Sequence, residues 1–236
     1  KNYAAFLKAS ADYADSIGFK GQLLLEPKPR EPASHQYNYD AETTLGFLDH
    51  FGLIDRYSLN LEANHGVMAG HSGEHEVAAA AARGKLGSVD ANRDESLLGW
   101  DTDMFPTSMT LATYMMKVIV EQGGIQPGGL NFDAKVRRES TDVEDLFIAH
   151  INGMDTMARA LRAVAKLQAD GSFDAMLTKR YAGFADTEIG RRFASGAAGL
   201  AELAEHAKAM GATEAPPPSG KAEKFESIFN AYALGA

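Results

Sequence analysis

The sequence contains no cysteine, which limits both its cross-links and its metal chemistry. Without cysteine the chain has no disulfides and no thiolate ligands, so a bound metal must rely on oxygen and nitrogen donors. No apolar run approaches the roughly 18 residues of a membrane span, and Lys1–Ala5 lacks the features of a secretory signal. These absences predict a cytoplasmic protein that does not enter the membrane.

Basic residues are scarcer than acidic ones. The 236 residues include 23 Lys and Arg against 32 Asp and Glu, which gives a formal net charge of -9. Nucleic acids and anionic membrane surfaces are polyanions, so this excess of acid argues against both as partners. Apolar residues make up 45% of the chain and charged residues 23%, a composition typical of a globular protein with a substantial core.

Short apolar runs that end in an acid recur along the first part of the chain. They are Leu23–Glu26, Leu59–Glu62, Gly87–Asp90 and Gly129–Asp133. Segments with helical periodicity separate them, which predicts an α/β fold with four βα units in residues 1–140. Buried parallel strands have this apolar character, and their carboxyl ends meet at one rim of the sheet. The acids should therefore converge there.

Residues 141–236 are predicted to form a helical C-terminal extension. A long helix begins near residue 141, and shorter helices follow it. Pro216–Pro218 forms a linker to a last amphipathic segment, Ala222–Leu234. Because a tethered helix of this kind has little to bury against in its own domain, we expect it to dock on another subunit.

Glu62 is the centre of the predicted site, with His65 three residues after it. Asp101 and Asp103 stand two residues apart, so in an extended loop both side chains point the same way and reach one ion. The candidate metal ligands are Glu26, Glu62, His65, Asp90, Asp101, Asp103 and Asp133. Six carboxylates and one imidazole suit two hard divalent ions such as Mg²⁺, Mn²⁺ or Co²⁺.

Each candidate also has a simpler interpretation. A single acid at a strand end is commonly a solvated turn residue or a helix cap, and His65 alone could be a core or capping residue. Because acids occur at four strand ends, we favour the interpretation that they are metal ligands. Lys28, which prolines hold near Glu26, is a cation suited to polarise a substrate oxygen.

A further cluster of polar residues follows Glu62 in the chain. His71 and His75 lie at the start of a predicted helix and have no partner at a convincing ligand spacing. Glu74 and Glu76 are typical of acids in the first turn of a helix, where they interact favourably with the helix dipole. The predicted metal site therefore excludes these four residues.

Several motifs, in order, resemble those of the longer class of xylose isomerases. They are Leu25–Pro29, Leu61–His65, Val89–Asn92, Gly99–Pro106 and Asn131–Lys135. The resemblance covers essentially the whole chain. It implies a TIM barrel, of which this chain contains the last four of eight βα units.

The resemblance also implies an activity and roles for individual residues. Members of the family interconvert D-xylose and D-xylulose, and glucose and fructose less well, with two divalent ions. One ion would be bound by Glu26, Glu62, Asp90 and Asp133, and the other by Glu62, His65, Asp101 and Asp103. Lys28 matches the lysine that polarises the C1 oxygen while a hydride moves between C1 and C2.

The absence of the family's amino-terminal half leaves alternatives open. A histidine and aspartate pair used for ring opening lies in that half, and nothing in this sequence replaces it. The chain could instead be an inactive, metal-binding half-barrel fragment, and an epimerase or endonuclease with clustered carboxylates is a third, weaker possibility. A half-barrel exposes strand edges and an apolar face, so we predict a homo-oligomer, either a dimer or a tetramer.

Overall fold

The computed structural model describes residues 1–211 and 219–235, which contain one parallel sheet flanked by helices. The strands are β1 (Leu24–Leu25), β2 (Ser58–Glu62), β3 (Leu86–Asp90) and β4 (Leu130–Asn131). They lie side by side in chain order, and each neighbouring pair is parallel. This arrangement confirms the predicted α/β class with four βα units, and it is consistent with half of a TIM barrel.

Helices connect the strands and form the carboxyl-terminal part of the chain. They are α1 (Asn2–Ser16), α2 (Ala41–His50), α3 (Ala63–Met68), α4 (Gly73–Ala82), α5 (Met109–Glu121), α6 (Val143–Asp170), α7 (Ser172–Asp186), α8 (Glu188–Ala194), α9 (Leu200–Ala209) and α10 (Ala222–Ala233). The short α3 was not predicted. It begins directly after β2 and therefore fixes the residues that follow Glu62.

Side-chain caps set the starts of the helices between the strands. Asp40 accepts a 2.7 Å hydrogen bond from the Thr43 amide at the start of α2. Ser108 caps α5 in the same way, so that helix begins at Met109. Pro106 precedes this cap and therefore belongs to the loop before α5.

The core lies between the sheet and the helices that pack on it. Every residue of β3 is buried, and α4 contacts both β2 and β3. Helix α4 contributes the buried Val77 and Ala80, whose small size suits close packing on a sheet. The segment before β4 also approaches β3 closely. A Cβ atom on Gly128 would lie 1.7 Å from the Gly87 carbonyl oxygen, so Gly128 has no room for a side chain.

The strand register aligns the polar ends of the sheet. Glu62 at the end of β2 pairs with Asp90 at the end of β3, and Asp90 pairs with Asn131 at the end of β4. The side chains that follow the apolar parts of these strands therefore meet at one rim.

The chain divides into two compact units, Lys1–Arg162 and the residues from Ala163 onward. The boundary falls within α6, whereas the division at residue 140 drawn from the sequence stays a prediction. No helix in the described ranges is long and apolar enough to cross a membrane.

Within the second unit, α10 packs against α7. The rings of Phe173 and Phe225 are 5.1 Å apart between centroids, and Phe229 is 1% exposed. Helix α10 therefore buries part of its surface within its own unit, contrary to the prediction from the sequence. Its docking on another subunit stays a prediction, and the linker Pro216–Pro218 lies outside the described residues.

Candidate metal centre

The seven candidate ligands lie together at the carboxyl end of the sheet. Their ligand atoms form three groups, and within each group all atoms lie within 4.8 Å of one another. The groups are Glu26, Glu62 and His65; Glu62, Asp90 and Asp133; and Glu62, Asp101 and Asp103. Glu62 is common to all three, which places its carboxylate between the others.

Local structure explains how the residues near Glu62 reach it. Because α3 starts directly after Glu62, His65 lies about one turn further on and faces the same way. Its Nε2 atom is 3.3 Å from Glu62 Oε2 and 3.2 Å from Asp101 Oδ2. Its Nδ1 atom is 3.5 Å from Glu26 Oε1. The imidazole therefore touches carboxylates from three different segments.

The loop between β3 and α5 contributes Asp101 and Asp103. An antiparallel bridge between Arg93 and Met104 folds this loop back toward the end of β3. Asp103 has a φ angle of 44°, so the fully extended geometry expected around it is interrupted. Asp133 also has a positive φ angle, of 36°. Non-glycine residues seldom adopt this conformation, and strain of this kind concentrates at functional sites.

Asparagine side chains hold the carboxylates, and the sequence interpretation gave them no role. The Nδ2 atom of Asn92 donates to Glu62 Oε1 at 2.8 Å. The Asn60 amide donates to Glu26 Oε2 at 2.8 Å and to Asp90 Oδ2 at 2.7 Å. Asn60 precedes Glu62 by two residues within β2, so both side chains lie on one face of that strand. Asn92 follows Asp90, the last residue of β3, by two residues. The two-residue spacing from an acid is the feature of the sequence that could have identified these asparagines as partners of the carboxylates.

Two lysines contact the acids of the loop. Lys28 Nζ lies 2.5 Å from Asp101 Oδ2 and 3.6 Å from Glu31 Oε2. Lys135 Nζ lies 2.5 Å from Asp103 Oδ2, and its side chain is largely exposed. Lys28 thus contacts the candidate ligand Asp101, and it lines the same pocket as Glu26. Lys135 was missed as a partner because no pattern in the sequence links it to Asp103.

The site is partly buried, and this alters the pKa values of its acids. Glu62 is 3% exposed, and its burial, together with the charges of Asp101 and Glu26, raises its pKa to about 9. Burial likewise raises the pKa of Asp90. Burial alone would raise the pKa of Asp101 too, but hydrogen bonds from His65 and Lys28 hold it below its ordinary value. Hydrogen bonds therefore outweigh burial at Asp101, whereas burial outweighs the asparagine hydrogen bonds at Glu62 and Asp90.

The donor set fits divalent cations. It offers carboxylate oxygens and one imidazole, which suit hard or borderline ions. The Nδ1 atom of His65 is buried and has no hydrogen-bond partner among the described residues. A cation would also offset the mutual repulsion of the acids around Glu62. The residues of this rim can therefore hold one or two such ions.

The sequence matches known proteins over almost its whole length. It is 50% identical over 226 residues to a xylose isomerase of Arabidopsis thaliana, which covers 96% of this chain and 47% of the relative. It is 49% identical over 232 residues to xylose isomerase 1 of Xanthomonas axonopodis pv. citri, which covers 98% of this chain and 52% of the relative. The chain is related to the xylose isomerases.

The relationship to xylose isomerases extends to the helical part of the chain. Residues 177–233 match the family model described as the XylA2 C-terminal domain. A xylose isomerase of Photorhabdus laumondii is 48% identical over 227 residues, which are 96% of this chain and 51% of that protein. The chain thus spans about half the length of the relatives it matches, and its resemblance is consistent with the C-terminal half of a xylose isomerase.

Proposed function

We propose that this chain carries the metal centre of an aldose–ketose isomerase that converts D-xylose to D-xylulose, and D-glucose to D-fructose less well. The observation that carries the proposal is the position of Glu62, whose carboxylate belongs to all three groups of ligand atoms. A carboxylate shared in this way suits the bridging ligand of two divalent ions, either Mg²⁺, Mn²⁺ or Co²⁺. The names of the relatives supply the substrate.

The proposed ligands divide into two sets that share Glu62. One set adds Glu26, Asp90 and Asp133, and the other adds His65, Asp101 and Asp103. When bound, divalent ions at these positions supply Lewis-acid chemistry to the oxygens of an open-chain sugar. The asparagine amides keep the carboxylates in position for this binding.

Lys28 is the proposed catalytic residue. Burial by itself would lower its pKa, but the contact with Asp101 outweighs burial and raises it, so the ammonium stays charged. A charged ammonium can donate a hydrogen bond to the C1 oxygen of the sugar as a hydride moves between C1 and C2. Lys28 and Glu26 line a cavity of about 200 Å³ together with Gln36, Tyr37 and Asn38. The charged and amide side chains in this lining can form hydrogen bonds with a polyhydroxy substrate.

Conversion of D-xylose to D-xylulose by the purified chain, with Mg²⁺ or Mn²⁺, tests the proposal. We expect turnover that Glu62→Gln abolishes and that Glu144→Gln, an exposed substitution on α6, leaves unchanged. The molar mass of the same sample should be measured by light scattering. A folded chain that binds metal without turnover would contradict catalysis by this chain and would favour the inactive half-barrel described next.

A second candidate function is that of an inactive, metal-binding half-barrel that self-associates. It is favoured by the open sheet of the first unit, in which β1 and β4 are edge strands with only two paired residues each. The ligand cluster would then bind ions without catalysis. Self-association as a dimer or tetramer and a cytoplasmic location both stay predictions.

A further inference from the structure

A separate group of nitrogen and oxygen donors lies at the start of α4. It consists of His71, His75 and Glu76, and it shares no residue with the rim described above. Ligand atoms of the three residues all lie within 4.8 Å of one another. The imidazole rings of His71 and His75 are stacked with 4.7 Å between their centroids. The His71 Nε2 atom is 3.9 Å from Glu76 Oε1.

The fold explains why these residues meet. Ser72 caps α4, so His75 and Glu76 occupy the first turn while His71 directly precedes the cap. The group runs from the core to the surface, because Glu76 is buried, His71 is half-buried and His75 is exposed. An ion from solvent could therefore reach all three donors. Glu76 lies in the first turn of α4, as predicted, but its side chain is only 4% exposed.

The two oxygens of the Glu76 carboxylate differ in their hydrogen bonding. Its Oε2 atom accepts a 2.7 Å hydrogen bond from the Ala41 amide. Its Oε1 atom is buried and has no hydrogen-bond partner in the part of the chain that the structure describes. Gly66 makes room for this side chain, since a Cβ atom at Gly66 would lie 2.7 Å from Glu76 Cγ. A buried polar atom without a partner is costly unless a further ligand satisfies it.

We propose that His71, His75 and Glu76 bind a divalent transition-metal ion of the class of Zn²⁺ or Co²⁺. Two imidazoles and one carboxylate favour such ions over Mg²⁺, which prefers oxygen ligands. Asp40 adds an oxygen 3.3 Å from His71 Nε2, while its other oxygen caps α2. Tetrahedral ligands at zinc distances stand about 3.4 Å apart, and the 3.9 Å between His71 Nε2 and Glu76 Oε1 is close to that separation. The ion would join the starts of α2 and α4.

Zn²⁺ binding by the full chain tests this site. The experiment uses Glu62→Gln as the background, with excess Mg²⁺, to remove the contribution of the main carboxylate cluster. We expect equilibrium dialysis to show one Zn²⁺ per chain. The affinity should fall about tenfold or more when His75→Ala or Glu76→Gln is added. His206→Ala, which removes another exposed histidine, should leave the affinity unchanged.

Thermal unfolding gives a second measurement on the same variants. Zn²⁺ should raise the unfolding temperature of Glu62→Gln, and this rise should be lost with His75→Ala, whose exposed position makes damage to the fold small. Unfolding in chelator shows whether each variant still folds. The proposal is overturned if Glu62→Gln binds no Zn²⁺, or if Zn²⁺ binding survives both His75→Ala and Glu76→Gln. It is also overturned if His206→Ala weakens binding as much as they do.

Discussion

Lys28 Nζ lies 2.5 Å from Asp101 Oδ2, so a cation of the chain occupies an oxygen that a metal ion would also need. The Asp101 side chain is 12% exposed and the Lys28 side chain 26%, so water screens the contact only partly. An ion that uses this oxygen has to displace the ammonium from Asp101. The displaced ammonium would then be free to contact a substrate oxygen. The ion pair thus links metal binding to the proposed role of Lys28.

Replacing Lys28 by methionine should separate metal binding from catalysis. We expect Mg²⁺ or Mn²⁺ to bind about tenfold more tightly, because the ammonium no longer repels the ion or occupies Asp101. Isomerisation of D-xylose should slow by about 10²–10³, the usual cost of losing a donor to a developing oxyanion. Calorimetric titration and a coupled D-xylulose assay measure the two effects.

Lys135→Met is the matched control for this substitution. Lys135 contacts Asp103 at the same 2.5 Å, but its side chain is 62% exposed, so solvent screens the charge. The loss of Lys135 should change the metal affinity and the rate of D-xylose isomerisation much less than the loss of Lys28 does. Equal effects of the two substitutions would show that Lys28 acts only through general electrostatics.

The shared position of Glu62 predicts how metal stoichiometry responds to substitution. Glu62→Gln removes a carboxylate from all three groups, whereas Asp133→Asn affects one of them. We expect Glu62→Gln to weaken the binding of both Mg²⁺ ions and Asp133→Asn to weaken only one. Equilibrium dialysis with Mg²⁺, which avoids imidazole-rich sites, measures the two stoichiometries. Two tightly bound Mg²⁺ ions in Glu62→Gln would contradict the bridging role.

The raised pKa of Glu62 predicts a pH-dependent stability of the metal-free chain. Its carboxyl titrates near 4.5 in the unfolded chain and at about 9 in the folded one. Between these values the folded state holds more protons than the unfolded state, so the free energy of unfolding falls as pH rises. The contribution of the Glu62 carboxyl to the free energy of unfolding is complete below the unfolded-state pKa of 4.5. It is lost as the pH rises through the folded-state pKa of about 9.

Glu62→Gln removes this titration and isolates its effect. The difference in unfolding temperature between the variant and the unchanged chain, measured in chelator, should grow with pH and level off near pH 9. Divalent ions should also release protons on binding, since ligands must be deprotonated. A difference that does not vary with pH would show that the carboxyl is already ionised in the folded chain.

The sequence could predict the acids of the site because strand geometry is regular. Apolar runs that end in an acid, separated by helices, were enough to place Glu26, Glu62 and Asp90 at one rim. The roles of Asn60 and Asn92 were not predicted, although their two-residue spacing from an acid was visible. An amide beside a carboxylate is common in turns, and only the register of β2 and β3 shows which oxygen each amide reaches.

Features that depend on tertiary packing were missed for a different reason. Glu76 lies in a helical first turn, where exposure is usual, but the Ala41 amide of α2 holds its carboxylate in the interior. Similarly, α10 packs against α7, and the rings of Phe225 and Phe173 meet although they are far apart in the sequence. Neither contact leaves a local pattern, so periodicity and capping rules cannot predict them.

Asn92 should contribute to stability as well as to the site. It is 1% exposed, donates to Glu62 Oε1 and to the Asp133 carbonyl, and accepts from the Asn64 amide. Asn92→Ala leaves these buried groups unpaired, so we expect the free energy of unfolding to fall by about 1–3 kcal/mol. Urea unfolding measures the loss. Asn131→Ala should cost less because Asn131 is exposed and water can replace its bonds.

Self-association, predicted from the sequence, can be tested on the exposed apolar face of α6. Phe147, Ile151 and Met154 are each more than half exposed and follow helical spacing, so they form one stripe. Exposed stripes of this kind commonly mark protein interfaces. Light scattering at micromolar concentration should give a dimer or tetramer, which Ile151→Glu should dissociate because a buried, unpaired charge is costly. Asn152→Glu adds the same charge on another side of α6 and should leave the mass unchanged. A monomeric mass for the unchanged chain would refute self-association.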